Sequence, residues 1–196
     1  MKKIFIFCLM ALVMCVNANA QEKVVGYYHQ VSREYNVEAT NYKNDLTVFI
    51  QVKGKYEHDK VYIRIDGVKN IHSFIDGLNI CKTKYIEWSE VAKNNNVTDF
   101  RKAIDVNFPN VEICWLGSKW YVSHTQNFIK PNFVVSGNVN FIIIYGKAKY
   151  WNNEYIDTSF FMGLNLDNID ELINALNVDN INSILNQETK IDTLFN

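Results

Sequence analysis

Alternating apolar and polar residues predict strands in the first third of the chain. Residues 46–52 and 61–65 place apolar side chains at every second position, and a polar stretch between them predicts a turn. The two segments therefore predict an antiparallel hairpin that ends at Asp66-Gly67. Weaker alternation across residues 24–42 predicts one or two further short strands.

The pattern then changes from a period of two to steps of three and four residues. These steps place apolar side chains on one face of a helix. The positions are Ile71, Phe74, Ile75, Leu78, Tyr85, Trp88 and Ala92. We predict a helix over about residues 71–93, with Asn70 as its N-cap and Asn94-Asn95-Asn96 at its end.

Strand patterns return after Pro109. Residues 111–116 and 119–125 flank Gly117-Ser118, which predicts a two-residue hairpin turn. Residues 128–135 contain Pro131, which lacks a ladder donor and predicts an edge strand or a bulge. Residues 139–151 and 154–162 flank a predicted turn at Asn152-Asn153. Both faces of residues 141–145 are apolar, which predicts a strand covered on both sides.

A second helical pattern closes the chain. Asp167 is the predicted cap of a helix whose apolar positions reach Leu176, and a shorter helical piece with Ile181, Ile184 and Leu185 is predicted to follow it. This helical region covers residues 167–186, and a polar, flexible tail follows at 187–196. The predicted fold class is α+β. It combines a mostly antiparallel sheet of about seven to eight hairpin-connected strands with two main helices near 71–93 and 167–186.

The first 20 residues have the layout of a cleaved secretory signal. Lys2 and Lys3 precede an apolar run over residues 4–16, and small residues at 18–20 predict cleavage between Ala20 and Gln21. The run is short for a permanent membrane span. Lipidation of Cys15 and a retained anchor are the alternatives. We expect a soluble mature domain over residues 21–186, exported by a bacterium to the periplasm or the medium, with no transmembrane segment.

Charge narrows the range of partners. The chain has 20 basic and 21 acidic residues, and loss of Lys2 and Lys3 with the signal leaves a net charge of −3. A nucleic-acid partner requires a concentrated basic face, which this sequence lacks. The predicted partner is an envelope protein or a glycan.

Cysteine positions leave two alternatives open. Cys8 and Cys15 leave with the signal, so Cys81 and Cys114 remain in a compartment that permits disulfides. A bridge would close a loop of about 33 residues and contribute about 3–4 kcal/mol. The alternative is two separate buried thiols, because a free cysteine packs as a small apolar residue.

Recognised catalytic and metal-binding motifs are absent from the sequence. The four histidines are scattered, and neither a nucleophile elbow nor a glycine-rich phosphate loop occurs. We therefore predict no catalytic residue, metal or cofactor. A small envelope hydrolase remains as an alternative, with Asp157 and Glu112 as an acid pair or an acid beside His124.

Aromatic residues near two predicted turns are the more specific feature. The turn at Gly117-Ser118 would pair Trp115 with Trp120, and the turn at Asn152-Asn153 would pair Tyr150 with Tyr155. Such pairs staple a hairpin to the core or form an exposed binding platform. The leading hypothesis is a non-catalytic binding module that uses this platform. The third hypothesis is a structural protein whose doubly apolar sheet face packs against a second copy.

Overall fold

The structure, a computed structural model, describes residues 22–30, 32–42, 45–56, 60–116, 120–127, 129–148 and 158–194. It confirms the α+β class, with ten antiparallel strands and three helices in these ranges. The strands are β1 Lys23–Gln30, β2 Arg33–Tyr42, β3 Asp45–Lys53, β4 Lys60–Asp66, β5 Asp99–Ala103, β6 Val111–Leu116, β7 Trp120–Asn127, β8 Lys130–Ser136, β9 Val139–Ala148 and β10 Thr158–Leu164. The helices are α1 Val68–Asn94, α2 Leu166–Ala175 and α3 Val178–Leu194.

The strands form one open sheet with two parts. One part has the order β1-β2-β3-β4-β6-β7, and the other has the order β5-β8-β9-β10. The parts meet where β10 pairs with the end of β3, at Phe161 and Lys53. The hairpin predicted over residues 46–65 is β3-β4, with Ile50 directly opposite Ile63.

Helix α1 packs on one face of this sheet and contacts both parts. Its apolar stripe is buried as predicted, including Ile71, Phe74 and Leu78. The helix begins at Val68 rather than 71, because Gly67 with φ 84° is the N-cap. Asn70 lies inside the first turn, and its side-chain amide donates to the Asp66 carbonyl at 2.8 Å. The helix ends at Asn94, within the predicted asparagine run.

The C-terminal helical region consists of two helices, as the apolar positions predicted, but the second helix is the longer one. A break at Leu176-Asn177 separates α2 from α3, and α3 continues to Leu194, where we expected an irregular tail. The cap of α2 is Asn165 rather than Asp167. The Asn165 side chain accepts from the Asn168 N–H at 2.8 Å, and Asn168 accepts from the Asn165 N–H at 3.2 Å.

Close contact between α2 and β1 holds this helical region on the sheet. Gly26 lies at an irregularity of the β1-β2 pairing and faces Ala175, the last residue of α2. The His29 backbone N–H donates to Glu171 Oε2 at 2.9 Å, and His29 Nδ1 lies 3.1 Å from the same oxygen. The docking of α2 on β1 therefore depends on the absence of a side chain at Gly26 and on the carboxylate of Glu171.

Strand β5 was not predicted. Its five residues are all exposed and show no alternation, so its extended form comes from pairing with β8. Because β8 lies between β5 and β9, the expectation of an edge strand at Pro131 was wrong. Pro131 precedes the residues of β8 that pair with β5, and its carbonyl accepts from the Ile104 N–H at 3.0 Å.

The doubly apolar stretch of β9 has one buried and one partly exposed face. Ile142 and Ile144 are fully buried in the core. Phe141 and Ile143, on the other face, are half-buried, and Tyr145 is 44% exposed. Cover on both faces is therefore incomplete among the described residues.

Candidate functional site

Two clefts flank the C-terminal half of α1. The first, which we call the β5 groove, has a volume of about 490 Å³ and lies between α1 and the edge strand β5. Glu87, Trp88, Val91 and Asn95 line it from the helix, and Phe100 and Lys102 line it from the strand. The β5-β8 register explains this placement. Phe100 and Lys102 pair with Val135 and Phe133, whose side chains are buried in the core, and opposite residues share a face.

Trp88 forms the inner wall of the β5 groove. Its ring packs edge-on against Phe133, with centroids 5.8 Å apart and an interplanar angle of 75°. Lys102 Nζ lies 4.5 Å from the Trp88 centroid, and Lys84 Nζ lies 5.6 Å from it. Such cation–π contacts hold the two ammonium groups over an indole ring. Trp88 thus packs against the core, as predicted, and also lines a surface groove.

Exposed apolar side chains continue the β5 groove toward solvent. Val91 is 55% exposed and Phe100 is 44% exposed. The charge of Lys84 is offset by Glu87, at 2.6 Å. Lys102 has no carboxylate partner among the described residues, so the groove combines an apolar surface with an available cation.

The second cleft, which we call the amide cleft, has a volume of about 710 Å³. Its polar lining comprises Ser89, Lys93, Asn96, Thr98, Asn138 and Asn140, together with Glu90. It lies between the last turns of α1 and the turn that joins β8 to β9. Ser89 and Lys93 line it from α1, about one helical turn apart. Ala92 and Val97 line both this cleft and the β5 groove, so the two clefts are neighbours.

An ion-pair network occupies the opposite face of the sheet. Arg64 donates to Glu112 Oε2 at 2.9 Å and to Asp66 Oδ1 at 3.0 Å. Thr47 donates to the same Asp66 oxygen at 2.8 Å. Because both acids and the guanidinium are already paired, this network holds neighbouring strands together and offers little to a ligand.

A small cavity of about 210 Å³ lies beside this network. It is lined by Glu22, Phe49, Arg64, Cys114 and Val122. Burial and the negative charge of Glu38 raise the pKa of Glu22, while Arg64 acts in the opposite direction. The predicted acid Glu112 forms an ion pair with Arg64, which lines this cavity.

The structure does not pair the first two of the predicted aromatic residues across their hairpin. Leu116 pairs with Trp120, and Trp115 pairs with Tyr121, so Trp115 and Trp120 are not cross-strand partners. Three residues, rather than the predicted two, therefore separate the paired ends of β6 and β7. Trp115 packs partly buried against the core. Tyr150 and Tyr155 lie outside the described residues, as does the predicted cleavage site at Ala20 and Gln21.

The predicted acid sites stay predictions. Asp157 lies outside the described residues, and of His124 the structure gives only the backbone position in β7. Among the described residues, the β5 groove and the amide cleft each contain one carboxylate, Glu87 and Glu90. No group of three or more metal-ligating side chains occurs in that part of the chain.

Cys81 and Cys114 are separate buried thiols rather than a disulfide. Cys81 faces the core from α1. Cys114 follows Ile113, which is buried on the α1 side, so the thiol of Cys114 faces the other side of the sheet. Burial raises the pKa of each thiol to about 12.

Sequence reasoning missed the role of Phe100 in the β5 groove. An aromatic residue surrounded by charged residues in the segment Asp99–Ala103 was its only signal. A comparison with known protein families found no match, and no curated protein and no solved structure matched the chain. None of the described helices is long and apolar enough to cross a membrane.

Proposed function

We propose that this protein is an exported, non-catalytic binding module that captures an extended polypeptide segment of an envelope protein. The bound segment adds to β5 as a further strand and lies over the β5 groove. The observation that carries the proposal is the juxtaposition of an open sheet edge with an apolar groove that contains Trp88. Export rests on the signal-like pattern of residues 1–20.

The backbone of β5 would supply the affinity. Among the described strands, β5 pairs with β8 alone, and all five of its residues are exposed. An edge strand presents N–H and C=O groups without partners, which is a template for an added strand. Proteins that bind peptides in this way gain affinity from main-chain hydrogen bonds and specificity from pockets for alternate side chains.

The β5 groove would supply the specificity. Residues of the added strand opposite Phe100 and Lys102 would point toward α1, because opposite residues share a face. There they would contact Trp88 and Val91, which favours apolar side chains. Lys102 favours a carboxylate at the neighbouring position. The expected ligand is therefore an extended segment with alternating apolar residues and at least one acid.

A second copy of the chain is a weaker candidate for the open edge. Self-pairing centred on Arg101 would place two guanidinium groups opposite each other, which is destabilising. Pairing centred on Phe100 would instead match Asp99 with Arg101 of the second copy. Sedimentation at increasing concentration separates these cases. A dimer that Arg101→Glu dissociates would replace the proposed polypeptide ligand.

A hydrolase is less well supported. Acid–base hydrolysis requires two carboxylates, or a carboxylate and a histidine, at one site. Each of the two larger clefts contains a single carboxylate among the described residues, and Glu112 is paired with Arg64. These observations favour binding over hydrolysis.

The test selects random peptides of about ten residues, displayed on phage, against the mature protein. We then measure the affinity of enriched peptides by fluorescence polarisation. Val91→Glu places a charge in the groove and should weaken binding by about tenfold or more. Its matched control is Ile86→Glu, because Ile86 is also exposed on α1, at 50% against 55% for Val91, but lies outside the groove.

N-methylation of the selected peptide tests the strand-addition mode directly. A methyl group on alternate backbone nitrogens removes donors that face β5, so one methylation phase should abolish binding and the other should not. Binding that tolerates both phases, or that Val91→Glu and Ile86→Glu weaken equally, would contradict the proposal.

A further inference from the structure

We propose that the amide cleft binds a neutral saccharide. This inference does not rest on the proposed polypeptide ligand, because the polar residues that line the amide cleft are different from those that line the β5 groove, although Ala92 and Val97 line both. Four observations carry it: an orphaned hydroxyl, unused hydrogen-bonding capacity, a balance of charge, and size.

The orphaned hydroxyl is that of Ser89. It is buried without a hydrogen-bond partner, and no other buried side-chain oxygen or nitrogen in the described part of the chain lacks one. Elsewhere on the same helix, the hydroxyls of Ser73 and Thr83 donate to the carbonyls of Lys69 and Asn79 at 3.0 and 2.9 Å. Ser89 makes no such bond. Because an unsatisfied buried hydroxyl is unfavourable, a ligand that bonds to it gains more than the bond alone.

The rest of the polar lining also has unused hydrogen-bonding capacity. The side chains of Asn96, Thr98, Asn138 and Asn140 make no hydrogen bond with another described residue. Each asparagine amide offers two donors and one acceptor oxygen, and each hydroxyl offers both roles. Such a cleft fits a ligand that carries many groups able both to donate and to accept hydrogen bonds.

Charge and shape then select the ligand class. Glu90 and Lys93 carry opposite charges at the rim, so the cleft does not favour an anion such as a phosphate or a sulfate. Val97 and Val135 give it an apolar wall for the C–H face of a ring. The volume of about 710 Å³ lies within the range of about 300–1,000 Å³ that is usual for small-ligand sites. A neutral saccharide of one or two rings combines these properties.

The experiment screens the mature protein against an array of neutral saccharides that includes N,N′-diacetylchitobiose, maltose and cellobiose. The strongest binder is then titrated by isothermal calorimetry. We expect at least one neutral oligosaccharide to bind, and Ser89→Ala to weaken that binding by about fivefold. Asn140→Ala should weaken it by a similar factor, with a larger loss in the double variant.

Ser73→Ala is the matched control, because it removes a hydroxyl from the same helix outside the cleft, and its affinity should equal that of the unaltered protein. Ser89→Ala removes no protein hydrogen bond, so it should fold as the unaltered protein does, and its melting temperature checks this. The proposal is overturned by an array without a neutral binder, by binding restricted to sulfated or phosphorylated sugars, or by equal affinity in Ser89→Ala and Ser73→Ala.

Discussion

Substitution of Gly26 by alanine should separate α2 from β1. A Cβ atom at position 26 would lie 2.7 Å from the Cβ of Ala175 and 3.1 Å from its Cα. Favourable carbon contacts are about 3.5–4.0 Å long, so the added methyl group overlaps Ala175 by close to 1 Å. Because one of the two contacts is to backbone, a change of rotamer cannot relieve it. The helix α2 or the strand β1 must move.

The expected cost follows from this overlap. Overpacking by one methyl group usually destabilises a protein by about 1–3 kcal/mol. For a domain of this size, 1 kcal/mol lowers the melting temperature by about 2–4 °C, so Gly26→Ala should lower it by about 2–12 °C. Without a clash, replacement of glycine by alanine would raise stability by about 0.4–1 kcal/mol through the unfolded chain. The sign of the change therefore tests the contact.

A double-mutant cycle measured by thermal or urea unfolding isolates the contact between the two residues. Ala175→Gly alone should cost less than about 1 kcal/mol, because Ala175 is the last residue of α2. In the Gly26→Ala, Ala175→Gly double variant, the second change should recover at least about 1 kcal/mol of the first loss. A Gly26→Ala protein as stable as the original, or additive effects in the cycle, would refute the reasoning.

Three further predictions concern the thiols, acid stability and the core. Cys81 and Cys114 are buried, and burial raises their pKa values to about 12, so a folded protein of residues 21–196 should resist maleimide. Both thiols should label in denaturant without reductant, and labelling that requires reductant would reveal a disulfide. Burial opposes the charged form of Glu171, but hydrogen bonds from His29 outweigh it and lower its pKa. As the pH falls, Glu171 is therefore protonated at a higher pH in the unfolded chain than in the folded protein. The stability that the Glu171 carboxylate contributes above about pH 5 is lost at lower pH. Glu171→Gln should make urea stability less dependent on pH in that range, and an unchanged pH profile would count against the His29 contact. Phe133→Ala should cost about 3–5 kcal/mol in urea unfolding, because the fully buried ring packs edge-on against both Tyr85 and Trp88; a loss below 1 kcal/mol would contradict that packing.

Local patterns in the sequence determined the fold class and most of its elements. The alternation over residues 46–65 predicted the β3-β4 hairpin, because each second side chain must be buried on one face of a sheet. The spacing of Ile71, Phe74 and Leu78 predicted α1, because steps of three and four residues place side chains on one buried face of a helix. These predictions succeed because each depends only on residues that are near in sequence.

Tertiary structure alone decided which surfaces came together. Strand β5 has no pattern of its own and exists through pairing with β8, about 30 residues away. The register of the β6-β7 pair differs by one residue from the predicted one, so Trp115 and Trp120 are not opposite each other. Cys114 follows Ile113, whose side chain faces α1, so the Cys114 side chain lies on the opposite side of the sheet from Cys81. Both proposed ligand sites arise where α1 meets the β5-β8-β9 part of the sheet. Such long-range juxtapositions depend on how separate elements pack, which local hydrophobic patterns do not encode.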